Sequence, residues 1–194
     1  MSDLKIAVIL GSTRPGRNGA AVARWVLEQA SRRTGATYEL VDLADFPLPH
    51  LDEGMPPSMA QYANAHTKAW SEKIASYDGF IFVTPEYNHS TSGVLKNAID
   101  YLYTEWNNKA AAFVAYGSVG GARAVEHLRG IASELQLAHV RQGLNFSLFT
   151  DFQNFNEFTP GQQHEAAAQV LFDQLEAWTG AMRSVRAPQV AVSA

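Results

Sequence analysis

Short runs of apolar residues recur along the chain, and between them apolar residues return with helical spacing. Residues 4–10, 79–84 and 110–116 are apolar at nearly every position. Continuous runs of this length are typical of parallel strands that are buried on both faces of a sheet. Together with two less regular runs, the pattern predicts five strands, at residues 4–10, 37–43, 79–84, 110–116 and 138–146.

The intervening stretches predict five helices. In each of them, apolar residues three and four positions apart form one face. The helices are expected at residues 19–33, 58–77, 93–103, 121–137 and 162–185. One stripe runs along the last helix and predicts a face packed on the core: Leu171, Leu175, Trp178, Met182 and Val185.

Strands and helices alternate along the sequence. This order predicts an α/β fold, a doubly wound five-stranded parallel sheet with helices on both faces. The length of 194 residues suits one domain, which we expect at residues 1–186. A flexible C-terminal tail is expected at residues 187–194, where Pro188 occurs and charges do not.

The composition of the chain excludes several kinds of functional site. The chain has no cysteine, which excludes disulfides, thiolate metal ligands, iron–sulfur clusters and a cysteine nucleophile. Its formal net charge of −4 gives no sign of a nucleic-acid surface. No apolar run approaches the roughly 20 residues of a membrane-spanning helix, and the N-terminal segment has no leader-like cleavage site. We therefore expect a cytoplasmic protein that binds neither nucleic acid nor membranes.

The loops after the first, third and fourth strands carry the candidate chemistry, because ligands of such sheets bind at the carboxyl ends of the strands. The first loop, residues 11–19, combines hydroxyl groups, two arginines and the amino end of a helix, whose free N–H groups attract anions. It matches neither the dinucleotide-binding glycine pattern nor a Walker loop. The same residues would also suit a capped turn with solvated arginines.

The other two loops suit a planar polar ligand. Residues 85–93 bring side-chain donors and one aromatic ring to the end of an apolar strand, although a hydroxyl of Ser90, Thr91 or Ser92 is also expected to cap the next helix. Residues 117–121 contain three glycines. Glycine lets the backbone approach a ligand closely, or simply forms a tight turn.

In order and spacing, the three loops resemble the NAD(P)H-dependent FMN reductase family, a flavodoxin-like group that includes quinone, chromate and azo-dye reductases. Three motifs carry the resemblance: Gly11-Ser12-x-Arg14; Pro85-Glu86-Tyr87-Asn88 with Leu95-Lys96-Asn97-Ala98-Ile99-Asp100; and Gly117-Ser118-x-Gly120-Gly121. The resemblance implies a flavodoxin-like sheet with strand order 2-1-3-4-5. It also implies an enzyme that transfers hydride from NADPH or NADH through FMN to a small acceptor such as a quinone or free flavin.

The resemblance also assigns the FMN-binding residues by position, and it assigns no catalytic acid or base. The phosphate would be held by Ser12, Arg14 and Asn18. The ribityl chain and flavin ring would be lined by Pro85, Glu86, Tyr87 and Asn88. The pyrimidine edge would meet Gly117, Ser118, Val119, Gly120 and Gly121. Where the family commonly has serine, this chain has Arg17, which would either reinforce phosphate binding or point to solvent. The short anion loop, with a single helix terminus, suits FMN rather than FAD.

Two further expectations concern the backbone and the assembly. The loop at residues 85–88 has no glycine, and a left-handed residue other than glycine costs about 1–2 kcal/mol. We therefore expect this loop to avoid that conformation and the flavin to react in two-electron steps.

The segment 95–106 has more apolar positions than one helix can bury, and the resembling family is commonly dimeric or tetrameric, so we expect a homodimer or homotetramer.

Two other functions stay open at this point. A flavodoxin-type electron carrier would share the fold, but such carriers rely on strongly acidic surfaces, and the net charge here is modest. A nucleotide-binding regulator without redox activity is the third possibility. The six histidines are scattered without ligand spacing, so no metal site is expected. The sequence does not decide between NADPH and NADH.

Overall fold

The computed structural model describes residues 4–187, and its centre is a parallel sheet flanked by helices. The five strands of this sheet are β1 (Leu4–Leu10), β2 (Ala36–Asp42), β3 (Gly79–Pro85), β4 (Ala110–Gly117) and β5 (Ala138–Ser147). The helices of the described residues are α1 (Gly19–Ala30), α2 (Ala65–Ala75), α3 (Gly93–Asp100), α4 (Ala122–Glu134) and α5 (Gln163–Arg186). The strand order is β2-β1-β3-β4-β5, which confirms the expected fold. Residues 188–194 of the expected tail lie outside the described residues, and the single domain at 1–186 stays a prediction.

Each face of the sheet has its own apolar core. Helices α1 and α5 pack on one face, against side chains such as Val8 and Ile81. Helices α2, α3 and α4 pack on the other, against Ile9, Phe82 and Phe113. Strands β3 and β4 are buried at every position. Because helices cover both sides, neither strand alternates between apolar and polar residues, which is why both were visible in the sequence.

Several helix boundaries differ from the prediction. Helix α2 was expected at residues 58–77 but begins at Ala65, after a 3₁₀ turn at Pro57–Met59. Ala60 has a φ of 50°, and a left-handed residue stops the helical backbone from continuing. Helices α1, α3 and α4 each end about one turn earlier than expected.

The predicted core stripe of α5 is wrong in its second half. Leu171 and Leu175 are fully buried, whereas Trp178 and Val185 are 47% and 56% exposed. The buried residues of α5 are Ala168, Leu171, Phe172, Leu175 and Thr179. At 3.6 residues per turn they form one face centred on Ala168, Leu175 and Thr179, so Trp178 lies to one side of the face that packs on the core.

The argument that the segment 95–106 leaves an apolar face uncovered is also wrong. Ile99, Tyr101, Leu102 and Trp106 are each at most 2% exposed. The chain turns back after α3, so that the Trp106 ring packs edge-on against Phe80, with 4.9 Å between ring centroids. The Trp106 indole N–H donates to the carbonyl of Ile99 at 3.2 Å. This segment is part of the core of one chain and gives no evidence for a second subunit.

A small antiparallel hairpin that the sequence did not predict lies between β5 and α5. Its strands are β6 (Phe152–Gln153) and β7 (Glu157–Phe158). The base of the hairpin is closed, because the N–H of Thr159 donates to the carbonyl of Asp151 at 2.9 Å. The Asp151 carboxylate also lies 2.9 Å from His164 Nε2, which fastens the hairpin to α5.

Lys109 is a buried cation at the amino edge of the sheet, the edge opposite to the predicted site. Its Nζ donates to the carbonyls of Ile74 at 3.0 Å and Ala75 at 3.2 Å, at the end of α2. Burial lowers the pKa of Lys109 to about 8. The folded protein therefore loses this proton at a lower pH than the unfolded chain does.

We expect this buried lysine to make stability rise with pH. Between the folded pKa of about 8 and the ordinary value of 10.5, the unfolded chain holds a proton that the folded protein has lost, so folding becomes more favourable as pH increases. One pKa unit corresponds to about 1.4 kcal/mol. Urea denaturation at about pH 7 and about pH 10 should show the unfolding free energy of the wild type rising by roughly 2 kcal/mol relative to that of Lys109→Met. A difference between the two proteins that does not change with pH would contradict the expectation.

Candidate functional site

The three predicted loops lie at the carboxyl edge of the sheet, where hydrogen bonds connect them to one another and to the strand ends. The N–H of Gly11 donates to the carbonyl of Val83 at 2.8 Å, and the Ser92 hydroxyl donates to the carbonyl of Gly11. The N–H of Glu86 donates to the carbonyl of Tyr116 at 3.0 Å. The loops after β1, β3 and β4 therefore form one connected surface.

The first loop presents a cation beside the amino end of α1. Ser12 is buried, and its hydroxyl lies 3.4 Å from the Tyr87 hydroxyl. Arg14 is exposed, and its side chain has no ion pair among residues 4–187. Near the start of α1, the N–H groups of Ala21 and Val22 already donate to the carbonyl of Asn18, at 3.0 and 3.3 Å. An unpaired guanidinium beside the positive end of a helix dipole is a favourable site for a phosphate.

Arg17 and Asn18 are engaged with other parts of the protein. The Arg17 guanidinium donates to both carboxylate oxygens of Asp42, at 2.8 Å for Oδ1, and to the carbonyl of Ser12. The Asn18 side-chain amide donates to the carbonyl of Phe155 at 2.7 Å. Asp42 balances the charge of Arg17, so this arginine neither points to solvent nor offers a free charge. It fastens the first loop to the end of β2.

The second loop contains a closed turn at residues 87–90. The N–H groups of Tyr87 and Ser90 donate to each other's carbonyls at 2.9 and 3.0 Å, and Asn88 and His89 have φ values of 49° and 68°. The expectation that this loop avoids the left-handed region is wrong, because a two-residue turn of this type requires it at both central positions. Since the folded loop already has the left-handed conformation, the cost of adopting it no longer supports the expectation that the flavin reacts in two-electron steps.

Glu86 of the same loop is tied to α4. Its carboxylate is 5% exposed and accepts from Arg123 Nε at 2.6 Å and from the Arg123 backbone N–H at 3.2 Å. His89 Nε2 lies 2.8 Å from the same guanidinium. The loop is also fastened to α3, since the Ser92 hydroxyl accepts from the N–H of Leu95 at 3.2 Å, which confirms the predicted cap. Glu86 is thus a positioning residue rather than a free acid or base.

The third loop turns sharply through two left-handed glycines. Gly120 and Gly121 have φ values of 73° and 77°. The Asn145 side chain donates to the carbonyl of Gly120 at 3.0 Å and holds the turn to β5. Ser118 and Val119 are exposed at its outer edge. The loop therefore offers mainly backbone to anything bound against it.

A cavity of about 200 Å³ lies between the loops. It is lined by Arg14, Gly16, Arg17, Asn18, Pro85, Glu86, Tyr87, Tyr116, Gly117, Leu148, Phe155 and Asn156. A larger cavity of about 550 Å³ also has Arg14 and Tyr87 in its wall, together with apolar residues such as Leu48 and Val94. The two spaces meet at a cation and an aromatic ring, which suits a ligand with an anionic end and a flat ring.

The predicted residues that do not line these two cavities are Asn88, Ser118, Val119, Gly120 and Gly121. They lie at the same edge of the sheet and shape its loops.

Sequence reasoning missed four residues of this region. Asp42 ends β2 and Tyr116 is the last residue but one of β4, so the rule that ligands bind at carboxyl ends would have found them. Burial raises the pKa of Tyr116 well above its usual range, so its hydroxyl stays protonated at neutral pH. Arg123 and Phe155 gave no signal, because one lies in a helix and the other in the unpredicted hairpin.

Residues 4–187 offer neither a metal site nor a membrane-spanning helix. No group of three histidine, aspartate or glutamate side chains there is placed to hold a metal ion. None of the helices in this part of the chain combines the length and the apolar character needed to cross a membrane.

Comparison with known proteins gives a consistent result. The family model for NADPH-dependent FMN reductase matches residues 4–151. An NAD(P)H-dependent FMN reductase of Schizosaccharomyces pombe is 47% identical over 135 residues, which cover 69% of this chain and 68% of that protein. A quinone reductase of Escherichia coli is 37% identical over 140 residues, covering 66% of this chain and 69% of that protein.

Among solved structures, a flavoenzyme NAD(P)H:(acceptor) oxidoreductase from Paracoccus denitrificans has a similar fold. Its TM-score is 0.70, and the match covers 92% of this chain and 98% of that one. The sequence identity is 21%, so this likeness concerns the fold alone.

Proposed function

Since the chain belongs to the NADPH-dependent FMN reductase family, we propose that the three loops at the carboxyl edge of its sheet are where it binds FMN. The protein is an oxidoreductase that uses NAD(P)H and FMN. Bound FMN supplies the redox chemistry, taking hydride from NAD(P)H and passing electrons to a quinone or flavin acceptor. One observation carries the placement: Arg14 is an exposed cation without an ion pair among residues 4–187, beside the amino end of α1.

The loops have different tasks in this proposal. Arg14, Ser12 and the first N–H groups of α1 hold the phosphate, while Arg17 acts indirectly by fixing the loop to Asp42. The ribityl chain and ring lie along residues 85–88, and the backbone of residues 117–121 meets the pyrimidine edge. The larger cavity beyond Tyr87 leaves room for the second reactant.

The protein's contribution to the reaction is orientation rather than proton transfer. The Glu86 carboxylate is paired with Arg123, and the raised pKa of Tyr116 keeps its hydroxyl protonated. We therefore assign no catalytic acid or base. The single helix terminus in the anion loop suits FMN, with one terminal phosphate, rather than FAD.

The visible spectrum of the purified protein tests the proposal. After incubation with FMN and gel filtration, the protein should carry flavin bands, and these should bleach when NADPH or NADH is added without oxygen. FAD at the same concentration should be retained less. A protein that stays colourless after incubation with FMN, or flavin bands that neither nucleotide bleaches, would overturn it.

We also propose that the enzyme is a homodimer or homotetramer. The support comes from the connection between β2 and α2, where Leu51, Met55 and Met59 are 43%, 42% and 49% exposed. Exposed apolar side chains that follow one another along a connecting segment are a common feature of subunit contacts. Light scattering at micromolar concentration should report at least twice the chain mass of 21.2 kDa, and a value equal to the chain mass would contradict it.

A further inference from the structure

Two exposed phenylalanine rings contact each other beside the smaller cavity, and one of them, Phe155, lines it. Phe149 and Phe155 are 67% and 59% exposed, the highest values among the large apolar side chains of residues 4–187. The rings meet edge to face, with 5.8 Å between their centroids. Exposed aromatic surface of this size is unfavourable in water unless something covers it.

The backbone at Phe155 is strained. Asn154 and Phe155 form the tip of the β6–β7 hairpin with φ values of 50° and 61°. A turn of this type favours asparagine followed by glycine, because glycine has no Cβ to resist the left-handed conformation. Here a large aromatic residue occupies the position of the glycine. Residues held in such conformations are concentrated at functional sites.

The hairpin tip is fastened to the proposed flavin site. The Asn18 side chain, at the start of α1, donates to the carbonyl of Phe155 at 2.7 Å. At the other end of the cavity, the N–H of Leu148 donates to the carbonyl of Gly117 at 3.0 Å. Phe155 and Leu148 both line the cavity that Arg14 and Tyr87 also line. The hairpin tip therefore contributes Phe155 to the wall of this cavity, beside residues of the three loops.

Packing of the hairpin itself does not require the Phe155 ring. The base is filled by Phe152 and Phe158, whose centroids are 5.0 Å apart, and Phe158 packs against Phe146 at 4.9 Å. Phe155 lies beyond this cluster and stays mostly exposed. Its ring is thus available to a ligand rather than committed to the core.

We propose that Phe155, supported by Phe149, packs against bound FMN and retains it in the site. The inference rests on the FMN site proposed above and deepens it. A wall that covers the flavin slows its departure, so FMN is a resident group of this enzyme and does not leave as a product in each turnover. The strained backbone is kept because it aims the ring at the cavity.

The chain offers a matched pair of substitutions for the test. Phe155→Gly removes the ring and also relieves the left-handed strain, whereas Asn154→Gly relieves strain at the neighbouring position and keeps the ring. Binding of FMN to the full chain is measured by quenching of flavin fluorescence, and its release by gel filtration after dilution. We expect Phe155→Gly to raise the Kd for FMN at least tenfold and to elute without flavin, and Asn154→Gly to behave like the wild type. The melting temperature of both variants should equal or exceed that of the wild type.

Each outcome distinguishes a different failure. If the wild type does not bind FMN, the proposed function fails. If the wild type binds FMN and Phe155→Gly binds it equally well, the retention proposal fails while the function stands. If both glycine variants weaken binding equally, the effect comes from the turn and not from the ring, which also overturns the proposal. Phe149 lies outside the strained turn, so Phe149→Ala provides a second variant should Phe155→Gly fold poorly. If Phe149→Ala leaves the Kd for FMN unchanged, the two phenylalanine rings do not retain the flavin.

Discussion

Replacing Arg14 with alanine is expected to weaken FMN binding by roughly ten- to a hundredfold without lowering the melting temperature. Arg14 is exposed and has no ion pair among the residues that the structure describes, so its removal breaks nothing in the fold. Its guanidinium lies where the phosphate is proposed to bind, and a charge-assisted hydrogen bond contributes about 1.5–3 kcal/mol. Fluorescence titration of the protein with FMN measures the effect.

Two controls separate this contact from a general charge effect. Arg24→Ala removes an exposed arginine from the body of α1 with the same change in net charge, and should leave FMN binding unchanged. Riboflavin has no phosphate, so its weaker binding should be equal in the wild type and in Arg14→Ala. An Arg14→Ala protein that binds FMN with wild-type affinity would refute the phosphate assignment.

Gly121→Ala is expected to lower the unfolding free energy by about 3 kcal/mol. Gly121 has a φ of 77°, which a residue with a Cβ adopts at a cost of about 1–2 kcal/mol. An added Cβ would also lie 2.5 Å from the Cβ of Ala115 and 2.9 Å from the backbone N of Tyr116. These atoms belong to β4, which is paired with β3 on one side and β5 on the other, so they cannot move aside easily. Overpacking of this kind costs about 1–3 kcal/mol more.

Gly130 is the matched control for that substitution. It lies within α4, the helix that follows Gly121, and an added Cβ would meet no atom within 4 Å. Gly130→Ala should therefore raise stability by about 0.8–1.0 kcal/mol through helix propensity. Urea denaturation of both variants measures the two effects, which should have opposite signs. Equal stability of Gly121→Ala and the wild type would show that the third loop can relax.

The sheet could be predicted, together with the edge at which the candidate site lies, because the apolar pattern of the strands agrees with the fold. Strands β3 and β4 are buried at every position, and their residues are accordingly apolar almost throughout. The chemistry of loops 11–18, 85–93 and 117–121 could be placed on one edge because parallel strands all end on the same side. The cap at Ser92 followed from the same reasoning.

The details that were missed depend on distant parts of the chain. Arg17 pairs with Asp42, and nothing near Arg17 in the sequence distinguishes a paired arginine from a free one. The strands β6 and β7 have two residues each, too few for any period to be visible. The turns at residues 88–89 and 154–155 are left-handed without glycine. Asparagine, which tolerates this conformation, is present only at the first position of each turn, and the second positions, His89 and Phe155, give no signal.

The closed base of the β6–β7 hairpin has a consequence for how this enzyme can change. Because the Thr159 N–H and the Asp151 carbonyl join the two ends at 2.9 Å, and Phe152 and Phe158 fill the base, only the tip at residues 154–156 can vary in length and composition at little cost to the sheet. The hairpin tip reaches the cavity, while its base is anchored to α5 through His164. If Phe155 retains FMN as proposed, replacing the hairpin tip with that of a relative should change how long the flavin stays bound, and residues 151 and 159 mark the boundaries for such a graft.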